Sequence, residues 1–170
     1  IVLAPKELQN IISKNKYQEK VVGKPQSIND LYKIALEIEK DFNLSIKKIF
    51  EINGEAYFRS IETKYLKKSL ELKNCIVSTG GGIVESEENL NILKNEKYVI
   101  FLNSKVDSQF KNTKGSDKRP LLNSSNPKEI LQKLYDKRIN KYKKIAKMEF
   151  FSDSMSNEEL ANKIVSIFNE

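Results

Sequence analysis

Apolar residues run along this chain in two rhythms. Short apolar runs bounded by turn formers, at residues 1–4 (IVLA), 75–78 (CIVS) and 98–102 (YVIFL), read as buried strands. Between them the spacing turns helical. Glu7–Lys14 carries Leu8, Ile11 and Ile12 on one side, and Val21 and Val22 form a small cluster before Gly23 and Pro25. From Ser27 the pattern predicts a helix with Asp30 at the capping-box position and a stripe of Leu31, Ile34, Ala35, Ile38 and Phe42. Ser45 can cap a short helix carrying Ile46, Ile49 and Phe50, which Gly54 stops. Longer helical spacing covers Glu55–Leu72, and shorter stretches cover Glu87–Lys94 and Lys105–Lys111. Residues 112–126 (NTKGSDKRPLLNSSN) form a long polar loop, and Pro127 suits the first turn of a helix running to about Lys147. A strand near Glu149–Phe151 and a helix capped by Ser156 with Glu159 close the chain. Strands alternating with helices predict an α/β fold, a parallel sheet covered on both faces.

A chain of 170 residues suits one core, so a single domain over 1–170 is expected. Histidine is absent, which excludes imidazole bases, His-dependent nucleophiles and His-ligated metals. One cysteine, Cys75, excludes an internal disulfide and a cysteine–zinc cluster, and its apolar neighbours read as strand rather than reactive thiol. No apolar run reaches the ~20 residues of a membrane span, and the opening lacks the charged flank of a secretory signal. The expectation is a reducing, cytoplasmic protein acting without a membrane. An initial Ile fits either a trimmed N-terminus or a segment of a longer, multidomain chain, and otherwise a monomer is expected.

Charge changes this picture through its distribution rather than its sum. The net +7 suits anionic ligands, yet 27 of the 30 basic residues are lysine. Only Arg59, Arg119 and Arg138 carry the planar donor fork that grips carboxylate or phosphate with two bonds. Glycine is equally concentrated: three of six stand together at Gly80, Gly81 and Gly82, directly after a predicted strand. Such a strand end brings backbone N–H groups close to a ligand, and in open α/β sheets ligands gather there. Arg119 lies in the long loop beside Lys114 and Lys118; a loop of that length reads as a mobile lid or as simply disordered, and a basic lid over a cleft is how phosphoryl-transfer enzymes shield the reaction from water. The basic helix over 133–147 raises nucleic-acid binding as a further reading, but no recognition motif or aromatic platform accompanies it, so no nucleic-acid partner is expected.

Taken in order, SIKKIFEINGEAYFR at 45–59, Glu62, STGGG at 78–82, DKRPLL at 117–122 and the stretch from Arg138 to Tyr142 resemble the shikimate kinase family. The likeness runs from about Glu37 to the C-terminus. It implies a three-layer α/β/α parallel sheet of the P-loop nucleoside monophosphate kinase type, with residues 37–111 as substrate-binding part and core, 112–126 as lid and 127–170 as C-terminal helices. It implies shikimate as the small-molecule substrate, with ATP and Mg²⁺, and transfer of the γ-phosphate to the 3-hydroxyl. By the same resemblance Arg59 and Arg138 hold the substrate carboxylate and Glu62 holds Arg59 and a substrate hydroxyl. Gly80, Gly81 and Gly82 then offer amides to ring hydroxyls, and Arg119 sits at the transferring phosphate, as nucleotide contact and catalytic residue.

The N-terminal part departs from the family. Residues 1–36, expected as a diverged nucleotide-binding part, contain no G-x-x-x-x-G-K-[ST]; the only Gly-Lys, Gly23-Lys24, runs into Pro25, so Lys24 reads as a surface lysine. The family's Asp-x-Asp after the second strand falls, counted back from Ser45 without gaps, on Lys33 and Ala35, and Asp30 or Asp41 could replace it only through a local shift. Two readings therefore stand: a kinase, or a relative that binds shikimate, a related hydroxy acid or a partner without turning over ATP.

Overall fold

The computed structural model of the chain describes residues 2–3, 30–72, 75–113 and 126–168. Within them, β1 (Val2–Leu3), β2 (Asp30–Lys33), β3 (Cys75–Ser78), β4 (Ile100–Asn103) and β5 (Met148–Phe151) form one sheet in the order β2-β3-β1-β4-β5. Every neighbouring pair is parallel. The helices are α1 (Ile34–Phe42), α2 (Ile46–Leu70), α3 (Glu87–Asn95), α4 (Val106–Thr113), α5 (Pro127–Ile145) and α6 (Asn157–Phe168).

The two-residue repeat of the inner strands builds the layers. Val77 and Phe101 face a core shared with Ile34 and Ile38 of α1, Ile49, Phe58 and Leu66 of α2, Leu93 of α3 and Ile145 of α5. Their neighbours Ile76, Ile100 and Leu102 face the other way, onto Leu160 and Ile164 of α6. Adjacent strand residues thus feed opposite cores, which is the three-layer α/β/α arrangement. Among the described residues no helix is long and apolar enough to cross a membrane.

One expectation fails at the sheet edge. Residues 30–33 are a strand, not the opening turns of a helix. The register Asp30↔Cys75, Leu31↔Ile76, Tyr32↔Val77 and Lys33↔Ser78 satisfies the backbone groups along the outer side of β3, which a helix there would leave bare. Strand pairing overrides the local helical spacing. The stripe survives only from Ile34 onward, with Ile34 and Ile38 buried, while Ala35 faces solvent.

Other boundaries follow the sequence closely. Gly54 breaks α2 with φ 79° and ψ 173°, a backbone conformation that is essentially glycine's alone. The Ser45 hydroxyl accepts from Lys48 N at 3.2 Å, and Pro127 opens α5 behind an Asn126 cap. At the start of α6, Ser156 and Glu159 exchange hydrogen bonds of 2.7 and 3.2 Å, a complete capping box. Strand β4 lies two residues later than its apolar run begins, because Val99 turns its carbonyl to Lys147 N and Met148 N instead of continuing the ladder. Cys75 lies in β3 and is half-buried, its Sγ 3.6 Å from the Ile76 carbonyl oxygen.

Candidate active site

Strand β3 delivers its chain to the C-terminal edge of the sheet, where Thr79 leads into the glycine triplet and then a single 3₁₀ turn, Ile83–Glu85. Each glycine carbonyl is occupied. Ile83 N donates to Gly80 O at 3.2 Å, Glu85 N to Gly82 O at 2.9 Å, and the Tyr142 hydroxyl to Gly81 O. The amides of the three glycines make no hydrogen bond among the described residues, so the turn offers donors outward.

Two arginines close over this turn from different helices. Arg59, in the part of α2 after the Gly54 break, packs on Gly82; Arg138 of α5 places Nη1 3.9 Å from where a side chain on Gly81 would begin. Helical spacing explains the partners of Arg59. Its Nη1 donates to Glu62, three residues on, at 2.8 Å, and its Nε and Nη2 donate to Glu55, four residues back, at 3.3 and 3.0 Å. Phe50 and Phe58 lie under the guanidinium, with ring centroids 5.8 and 5.3 Å away. These bonds use three of the five guanidinium donors and leave two for a ligand. Arg138 spends one, from Nε to Glu85 at 2.7 Å, and keeps four.

Electrostatics follow burial. Glu62 is 3% exposed, and that burial pushes its carboxyl above the usual range despite the Arg59 charge beside it. Glu85 goes the other way: partial burial opposes ionisation, but hydrogen bonds from Arg138 and Lys137 hold it down to about 2. Burial pushes the Tyr142 hydroxyl up to about 12, and its ring stacks on Phe101 at 4.7 Å between centroids. The site is therefore a donor-rich floor between two guanidinium forks, an arrangement suited to a hydroxylated carboxylate.

The sequence-based candidates Arg59, Glu62, Gly80, Gly81, Gly82 and Arg138 come together here. Arg119 and Lys24 lie outside the described residues. The two acidic substitutes for the missing Asp-x-Asp are placed elsewhere. Asp30 opens β2 and so lies about 10 Å, three strand residues, from the edge that carries the site. Asp41, near the end of α1, accepts the Tyr65 hydroxyl at 2.5 Å. At the site edge of β2 stands Lys33, paired with Ser78, and Ala35 is already in α1. Glu55, Phe50 and Glu85 are contacts that motif reading did not assign. The i, i+4 spacing of Glu55 and Arg59 was a readable signal, whereas Glu85 meets Arg138 across 53 positions with no local signature.

Comparison with known proteins agrees with this geometry. Residues 30–169 match the sequence model of the family described as shikimate kinase. The shikimate kinase of Caldicellulosiruptor bescii is 37% identical over 131 residues, covering 77% of this chain and 76% of that relative. Among solved structures, the Acinetobacter baumannii shikimate kinase in complex with shikimate aligns with a TM-score of 0.78 and 30% identity, over 82% of this chain and 78% of that one. The Aquifex aeolicus shikimate kinase aligns with a TM-score of 0.68 and 33% identity, over 82% and 81%. A donor-lined strand end, two arginines above it, the strand order of the sheet and these relatives agree: the chain belongs to the shikimate kinase family, kinase transferases of the P-loop nucleoside monophosphate kinase fold.

Proposed function

We propose that Arg59 and Arg138 hold the carboxylate of shikimate above the glycine triplet while a shikimate kinase-like transfer moves the γ-phosphate of ATP to the 3-hydroxyl. The observation that carries this reading is the placement of two guanidinium groups, with free donors, over the consecutive residues Gly81 and Gly82. Two forks on one carboxylate fix both the position and the rotation of a ring, and positioning together with charge stabilisation supplies most of the rate in phosphoryl transfer. Free amides of Gly80 to Gly82 take up ring hydroxyls. Glu62 holds Arg59 and accepts one hydroxyl proton in hydrogen bonding, and Arg119 neutralises the transferring phosphate.

Shikimate kinases use ATP and Mg²⁺. The described residues do not fit a protein-held metal: Lys33 stands at the site edge of β2, and no group of three metal-ligating side chains occurs among them. Beside the triplet, the buried Thr79 hydroxyl has no partner among the described residues. The same reading makes the chain one kinase-like unit working on a small molecule in the cytoplasm.

Calorimetric titration with shikimate, with and without Mg-ATP, followed by an ADP-release assay, tests the proposal. Binding that is lost in Arg59→Ala, together with shikimate-dependent ADP release, is the expected result. ADP release that ignores shikimate, or binding that ignores Arg59, overturns it.

A further inference from the structure

Glu85 lies just past the glycine triplet and is the least expected member of this neighbourhood. Its side chain is 10% exposed, and three cations of α5 converge on it: Arg138 Nε at 2.7 Å, Lys137 Nζ at 3.0 Å and Lys141 Nζ at 3.7 Å. Its own backbone N–H is tied to Gly82 O at 2.9 Å. One residue thus grips the helix that carries Arg138 and, through its main chain, the turn over which Arg138 lies.

The grip has a direction. Glu85 engages Nε, at the stem edge of the guanidinium, while Nη1 points toward Gly81. An arginine held at Nε keeps both terminal nitrogens for a ligand and loses the freedom to swing away from it. Without that carboxylate, three positive groups would crowd one spot and repel. Arg138 would then lose its fixed orientation, and Lys137 and Lys141 would be left to compete for the same anion.

We propose that Glu85 is a positioning residue for substrate binding, holding Arg138 so that its terminal nitrogens meet the substrate carboxylate over Gly81. The proposal rests on the role assigned to Arg138 above. It distinguishes Glu85 from a mere surface ion-pair partner, whose removal would change little.

Calorimetry with shikimate and with its methyl ester, on the full chain, tests it. Glu85→Ala is expected to weaken shikimate about tenfold, the scale of a lost charge-assisted hydrogen bond, and to leave the ester nearly unchanged. Glu85→Gln keeps an acceptor for Nε and is expected to recover most of the affinity. The double variant Glu85→Ala, Arg138→Ala should bind no more weakly than Arg138→Ala alone, because both remove one interaction. If the alanine variant does not fold, Glu85→Met, of similar length, uncharged and with only a weak acceptor, carries the same test. Equal loss for acid and ester, additive effects, or tighter binding in Glu85→Ala overturns the proposal. If Arg138→Ala weakens shikimate and Glu85→Ala does not, the positioning role alone falls; if Arg138→Ala has no effect, the carboxylate role of Arg138 falls with it.

Discussion

Arg59 occupies the space that a side chain on Gly82 would fill: a Cβ there would lie 2.5 Å from its Cζ and closer still to Nη1. The neighbouring glycines are less constrained, with Glu62 Oε1 3.4 Å from a Cβ on Gly80 and the Tyr142 hydroxyl 3.2 Å from one on Gly81. Gly82→Ala should therefore displace the guanidinium and abolish measurable shikimate binding in a calorimeter. Gly80→Ala, at ordinary van der Waals distance, should keep binding within a few-fold. Equal losses from the two would show that the glycines matter for something other than Arg59.

Removing Arg59 has a cost beyond the substrate. Glu62 would remain 3% exposed without the cation that faces it, and breaking a buried pair from one side costs about 3 kcal/mol. Arg59→Ala should lower stability by that order in urea unfolding at pH 7. The sign with pH follows from burial: a carboxyl held above its ordinary 4.5 in the fold is destabilising when ionised, so the deficit should shrink as pH falls toward 4.5. Glu62→Gln in the same background should restore part of the stability at pH 7.

Glu85 has the opposite acid dependence. Its carboxyl, held down to about 2, contributes stability that is complete above about 4.5 and is lost as pH falls from there to about 2. Unfolding midpoints measured across that window should drop more steeply for the parent than for Glu85→Gln. Parallel curves would mean that the cluster of Arg138, Lys137 and Lys141 does not act on Glu85 in solution.

Much of the fold and of the site is legible in the sequence, and for local reasons. The break at Gly54, the Ser45 and Ser156 caps and the start of α5 at Pro127 each depend on residues within one turn of one another. Arg59, Glu62, the triplet and Arg138 were readable because they sit in spaced motifs. Residues 30–33 read as helix in the sequence because their strand character comes from β3, more than 40 positions away, and helical spacing in LYKIALEIEK carries no trace of it. Glu85 and the Tyr142 contact to Gly81 escaped for the same reason, since both are made across the sheet edge.

Tyr142 gives a milder test of the turn. In Tyr142→Phe the stacking on Phe101 survives and only the bond to the Gly81 carbonyl is lost, for about 1 kcal/mol. Thermal unfolding should show that small decrease, and shikimate affinity should fall with it, because a loosened carbonyl lets the adjoining amide rotate. A fall in stability with unchanged affinity would separate Tyr142 from the site.

Gly54 supplies a prediction about backbone alone. Nothing lies within 4 Å of a Cβ built there, so Gly54→Ala meets no steric obstacle and its whole cost is the strain of φ 79°. That strain is about 1–3 kcal/mol, readable as a shift in the urea midpoint.

Each carbonyl of the glycine triplet already accepts one hydrogen bond while the three amides have no partner among the described residues, so the turn is better placed to give hydrogen bonds than to receive them. An alcohol resting on the free amides acts as acceptor, which leaves its own hydrogen turned away from them and its oxygen drained of electron density. A ring amine in the same place, protonated at neutral pH, would meet N–H against N–H. The polypeptide backbone itself, without any side chain, thus favours oxygen over nitrogen.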